Sequence, residues 1–181
     1  MTTFLERYEA ELIHAEDIYR DRDHRQRTLF ASIDTSVRYL SDDLRALLSG
    51  LWIFRTSFLP EMAAIIFAAA DEPEGAESPV PAQLHALWRR GLLVRETMTE
   101  HDGSMLLYRL LPTVRPYTEQ VLPQAYKRTD LLARYGAAYA RLAQHIYEHL
   151  NRSAMMVRLA RETRDDLEQA LDAVAEQQRG W

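Results

Sequence analysis

Apolar residues recur at helical spacing along most of this chain and change to alternation once, past its middle. Leu5, Tyr8, Leu12, Ala15 and Tyr19 step by threes and fours, which predicts an amphipathic helix near the N-terminus. A charged stretch, 20–27, follows as a loop or a solvated continuation of that helix. Leu29, Ile33, Val37 and Leu40 form a second stripe. Ser41 reads as an N-cap, with Asp42 and Asp43 in the first turn, where carboxylates suit the positive end of the helix dipole. Leu44, Leu47, Leu48 and Leu51 are the expected buried face of that helix, and Trp52, Ile53, Phe54 and Phe58 carry the apolar run into a turn. Pro60 suits a helix start, with Met62, Ile65 and Ile66 as its buried side. Residues 71–81 are rich in Pro, Glu, Gly and Ser and read as a loop. A short helix over 81–90 turns Leu84, Leu87 and Trp88 inward, and Gly91 is its expected left-handed cap.

The period then becomes two. Segments 92–98 and 105–110 read as strands around Glu100-His101-Asp102-Gly103-Ser104, and Asp-Gly between such runs signals a hairpin. Leu106, Tyr108 and Leu110 share one face. Pro112 ends the second strand and 113–122 reads as a short helix. Leu132, Tyr135, Tyr139, Leu142, Ile146 and Leu150 then form one long stripe. After a turn at 151–153, a last helix carries Val157, Ala160, Leu167, Leu171 and Val174. A fully buried Leu or Ile contributes about 1.5–3 kcal/mol, so these stripes suffice to hold a fold.

Composition narrows the classes. At 181 residues the chain can form one domain, or two small ones sharing a core. Its 47% hydrophobic content sets it apart from disordered chains. No apolar run is long enough for a membrane helix, and the acidic N-terminus has no signal-peptide core. The lack of cysteine removes disulfides, thiolate metal sites and a cysteine nucleophile, and fits a cytoplasmic protein. Lys127 is the only lysine among many arginines, which points to a GC-rich, bacterial genome. A net charge of −5 argues against a general nucleic-acid binder.

The order of helices, hairpin and helix is that of a winged helix, and particular residues extend the likeness. His24-Arg25-Gln26-Arg27-Thr28-Leu29, Ile33-Asp34, Tyr39-Leu40-Ser41, Leu47-Leu48 and Trp52-Ile53-Phe54 carry it in the first half. Leu84-His85-Ala86-Leu87, Gly91-Leu92-Leu93-Val94 and Tyr108-Arg109-Leu110-Leu111 carry it in the second. Together they resemble the winged-helix domain that follows the nucleotide-binding core in STAND (NB-ARC type) signalling ATPases, in particular bacterial regulators with tetratricopeptide-type arrays. Segments 131–150 and 161–178 resemble the first helical hairpin of such an array, so the likeness spans about 24–178.

The resemblance implies a mainly α fold in three parts. These are an N-terminal helix and linker (1–27), a winged helix with a three-helix core and a small β-hairpin wing (28–123), and an antiparallel helical hairpin of repeat type (124–181). It also implies a non-catalytic role in signal transduction, coupling the core to downstream helical repeats. Gln83, His85, Arg89, Arg90, His101, Asp102 and Leu111 would face the core. Many members place a phosphate-sensing histidine after the second wing strand; the matching position here is Leu111, which has no hydrogen-bond donor on its side chain. A P-loop ending in Gly-Lys-Ser/Thr is also missing, since Lys127 lies between Tyr126 and Arg128. ATP or ADP with magnesium would therefore belong to a core elsewhere in the same or another chain, and no cofactor is expected on these residues.

Other chemistry must be weighed. His145-Ile146-Tyr147-Glu148-His149 matches the H-x-x-E-H zinc-peptidase pattern, with both histidines on one helical face. A third ligand, Glu162 or Glu168, is not marked by any motif, and the pattern lies on a helix whose Leu142, Ile146 and Leu150 are expected to point inward, so it reads as a decoy on an amphipathic surface. DNA binding by a transcription regulator is the main alternative, with Gln83, Arg89, Arg90 and Arg95 as groove residues. The acidic wing tip, Glu100 and Asp102, opposes a phosphate backbone. Trp52, Trp88, Tyr135, Tyr139 and Tyr147 read as core, or as interface if a partner surface is exposed. The mixed-charge run 161–166 reads as a solvated helix face.

Overall fold

The structure is a computed structural model that describes residues 24–68 and 78–179. The expected N-terminal helix around Leu5–Tyr19, most of the loop at 71–81 and the side chain of Val174 lie outside the described residues. The described chain is mainly helical with one small antiparallel sheet. Its elements are α1 (His24–Arg38), α2 (Asp42–Gly50), a 3₁₀ turn (Leu51–Ile53), α3 (Pro60–Phe67), α4 (Val80–Arg89), β1 (Leu93–Glu100), β2 (Gly103–Leu110), α5 (Arg115–Gln120), α6 (Arg128–His149), α7 (Ala154–Glu162) and α8 (Arg164–Arg179). No described helix is long and apolar enough to cross a membrane.

Helix α1 is described from His24, so the end of the charged stretch is helical. Ser41 takes the N-cap place of α2 with extended backbone, but its side chain makes no capping hydrogen bond. In α3, Met62, Ala63, Ile66 and Phe67 are buried. Ile65 falls outside that arc and is exposed, against the expectation from sequence. Gly91 has φ 72°, and Gly91 N and Leu92 N donate to Trp88 O and Leu87 O at 2.9 and 3.1 Å, which closes α4 as expected of a glycine cap.

The strands are longer than their apolar cores, leaving His101-Asp102 as a two-residue turn. Leu93 pairs with Leu110 and Arg95 with Tyr108, so Leu93, Tyr108 and Leu110 share the buried face. The outer edge of β2 is also occupied: Phe58 and Tyr108 exchange backbone hydrogen bonds of 2.8 and 2.9 Å. Met98 and Leu107, on the other face, are buried as well, because α7 packs against β1.

Helices α6 and α8 pack together, but the last predicted helix is two. It breaks at Thr163, whose buried hydroxyl donates to Leu159 O at 2.8 Å. The short α7 so released lies against the hairpin while α8 returns along α6. Leu150 and Leu171, expected inside, are exposed, Leu171 at 68%. Tyr147, read as core, is 81% exposed. Tyr135 and Tyr139 are buried as expected, and Trp52 and Trp88 are half-buried. One continuous apolar core runs from Phe30 to Ala170. Within it, Phe54 stacks on Phe58 at 3.9 Å and meets Phe67 and Tyr135 edge-on.

Candidate interaction surface

Helix α4 buries Val80, Leu84 and Leu87, so helical spacing turns His85 and Arg89 outward. Arg90, at the helix end, and Arg95, early in β1, are also exposed. Trp88 is the hub of this surface. The His85 ring lies 5.1 Å from it, and the Arg95 guanidinium sits 5.1 Å from its ring centroid in a cation–π contact. Gln83 is half-buried on the opposite flank of α4 and does not join the cluster. Arg89, Arg90 and Arg95 form no ion pair among the described residues.

The wing tip does not extend this surface. Asp102 is turned to α7, where its carboxylate accepts from Ser153 Oγ at 2.5 Å and Met155 N at 3.4 Å. Ser153 in turn caps α7 by accepting from Met156 N at 3.2 Å. The Ser153 hydrogen bond, chiefly, holds the Asp102 carboxyl below its usual range. Glu100 pairs with Arg158 at 3.1 Å and Glu96 with Arg109 at 3.3 Å. His101 stays exposed at the turn. Leu111 is half-buried against the core, and its carbonyl accepts from Val114 N and Arg115 N where the chain turns into α5.

The H-x-x-E-H residues are exposed on α6. The rings of His145 and His149 are 4.4 Å apart, His149 Nδ1 lies 2.8 Å from the His145 carbonyl, and Glu148 accepts from Gln144. Among the described residues no third His, Asp or Glu joins them in a metal-binding group. Glu168 instead pairs with Arg164, and Glu162 lines a cleft beneath the hairpin with Arg158.

A polar centre that sequence reasoning missed lies at the joint between the first half and the C-terminal helices. Asp166, in the first turn of α8, is 0% exposed. Its Oδ1 accepts from Arg55 N at 2.7 Å and Tyr135 OH at 2.6 Å. Its Oδ2 accepts from Thr56 N at 2.8 Å and from the Thr56 hydroxyl. Burial and the Asp166 carboxylate both raise the Tyr135 phenol, burial the more. The carbonyls of the same segment are met from two sides: Arg115 donates to Trp52 O at 2.7 Å and to Phe54 O, and Gln169 Nε2 donates to Ile53 O at 3.1 Å. The 3₁₀ turn and the irregular stretch after it thus have these backbone groups satisfied by α5 and α8. The run 161–166 is therefore not wholly a solvated face. Leu159, Thr163, Asp166 and Ala170 step by fours and threes, all four are buried, and that spacing is the signal that marks Asp166 as inward.

Beside the joint, Trp52, Arg55, Arg115, Arg128, Glu168 and Asp172 line a polar cleft of about 660 Å³. Arg128 stacks over Trp52 there at 4.5 Å. Compared with protein-family models, curated proteins and solved structures, the chain matches none.

Proposed function

We propose that the chain is a non-catalytic coupling module of STAND type. In this reading a winged-helix unit (28–123) presents α4 to a nucleotide-binding core. It is joined rigidly to a unit of repeat type (124–181) that continues into a helical sensor array. The observation that carries the reading is the Asp166 joint. A buried carboxylate on α8 takes hydrogen bonds from Arg55 and Thr56 in the first unit and from Tyr135 in the second. A displacement imposed on α4 would then reach α8 without being absorbed between them. Nucleotide and magnesium would sit in the core, and the contribution of this chain would be differential contacts with that core in its closed and open states.

The test starts from the native gene. A reading frame, or a neighbouring gene, that encodes a strand, a Gly-rich loop and Gly-Lys-Ser/Thr supplies the core. Nucleotide exchange by that core with this chain attached is expected to change on Arg89→Glu/Arg90→Glu. An unchanged rate, or no such core in either place, refutes the reading. DNA binding is the second reading, favoured by the engagement of Glu100 and Asp102 at α7 rather than at Arg89, Arg90 or Arg95.

A further inference from the structure

We infer that the partner of the α4 face is an acidic protein surface, seated on Trp88 as its central anchor. The inference rests on the coupling reading for the use of this face, and adds the chemistry of what it meets.

Arg38, Arg45, Arg109, Arg158 and Arg164 each lie at a carboxylate. Arg89, Arg90 and Arg95 are exposed and have no such neighbour among the described residues. The hairpin carboxylates that could neutralise them are engaged elsewhere: Glu96 with Arg109, Glu100 with Arg158, and Asp102 with Ser153. The result is a cationic face on a chain whose net charge is −5. A protein partner that supplies the missing carboxylates is steered to this face and fixed in register by it.

Trp88 gives the face an anchor as well as a charge. It is half-buried, and the Arg95 guanidinium and the His85 ring lie against it. Tryptophan and arginine are enriched where a few residues carry most of the binding energy. The contact with Trp88 also restrains Arg95 before binding, so less side-chain freedom is lost on docking.

A duplex fits less well. Binding to DNA draws on many phosphate contacts along a groove. Here the exposed arginines of the face are three, on one short helix and the start of a strand. A compact acidic patch needs only local complementarity.

The test uses the whole chain and two labelled probes, a 20-residue oligoglutamate and a 20-base-pair duplex, followed by anisotropy at low and moderate salt. The expected result is salt-sensitive oligoglutamate binding that weakens at least tenfold in Arg89→Glu/Arg90→Glu. The charge-matched control Arg141→Glu/Arg152→Glu, at exposed sites away from α4, is expected to change it less than threefold. Equal circular-dichroism melting curves establish that both variants are folded. No binding at low salt, or equal loss in the control, overturns the inference. Tighter duplex binding that is lost in the same α4 variant also overturns it, in favour of nucleic acid. Oligoglutamate binding without a nucleotide-binding core in or beside the gene sinks the coupling reading alone. A core present without oligoglutamate binding sinks this inference alone.

Discussion

Replacing Asp166 by asparagine tests the joint directly. The carboxylate accepts four hydrogen bonds, two at each oxygen, from Arg55 N, Tyr135 OH, Thr56 N and the Thr56 hydroxyl. An amide keeps one acceptor oxygen and turns an NH₂ group toward the other pair of donors, where the hydroxyl can turn to accept but the backbone N–H cannot. Hydrogen bonds to a charged group contribute about 1.5–3 kcal/mol each, and a stranded buried donor costs about 1–3 kcal/mol. One bond is lost and its backbone N–H is stranded, and the bonds that remain are no longer charge-assisted, while Asn carries no charge that needs compensation. The expected destabilisation is about 3–5 kcal/mol, from one lost charge-assisted bond and one stranded buried donor. Domains are commonly stable by about 5–15 kcal/mol, so the variant should still fold in water. Urea unfolding followed by tryptophan fluorescence measures the change, and the slope with denaturant shows whether the halves still unfold together. Tyr135→Phe removes one of the four bonds and should cost about 1.5–3 kcal/mol. The double variant should cost less than the sum, because the two changes remove one shared contact. A loss below about 1 kcal/mol for Asp166→Asn, or strict additivity with Tyr135→Phe, would show that the carboxylate does not hold the joint.

Three further outcomes follow from single residues. The Asp102 carboxyl is held low mainly by Ser153, so its contribution is present above the unfolded value and fades as pH falls through the lower folded value, below about pH 4. Ser153→Ala should move the Asp102 titration upward, as read by NMR of the carboxyl carbon, and an unmoved titration would dissociate the tip from α7. The Tyr139 hydroxyl is buried without a partner among the described residues, so Tyr139→Phe should raise stability by about 1 kcal/mol. A loss of similar size would mean that the hydroxyl is satisfied. A β-carbon at Gly50 would overlap the Phe67 ring where α2 ends against α3, so Gly50→Ala should cost about 1–3 kcal/mol by overpacking; an unchanged denaturation midpoint would show that Phe67 yields freely.

Periodicity located most helices and the hairpin because each has a one-sided apolar stripe long enough to show its period. Leu44, Leu47, Leu48 and Leu51 are all buried where their spacing put them. The reading failed where local pattern and tertiary need diverge. Thr163 gives no Gly or Pro signal, yet it ends α7 and lets the chain turn over the hairpin. Leu150 and Leu171 fit helical stripes but face outward, since a stripe does not reveal how far the neighbouring element extends. The α4 surface was legible as a set of cations on a short helix. The Trp88 platform needed Arg95, which comes from the next strand and reaches the ring only in three dimensions. Asp166 was legible in spacing but hidden by charge, because its partners, Arg55 N and Thr56 N, are backbone groups that carry no sequence signature.

The two polar links to the C-terminal helices bear on mechanism because they act at different ends of the same body. Asp102 ties the hairpin turn to the start of α7, and Asp166 ties the segment after the 3₁₀ turn to the start of α8. Between them the hairpin is enclosed by the apolar core on one face, α7 on the other and Phe58 along the β2 edge. Helix α4 packs on β1, and β1 packs on α7, so α4 and the C-terminal helices share a short chain of direct contacts. Such a body resists internal hinging, because opening either link strands buried or capping groups. Under the coupling role, the moving parts would therefore lie at the borders of this body. An effector would act by shifting how the whole unit sits on its core, which requires that the α4 contacts differ between the two states.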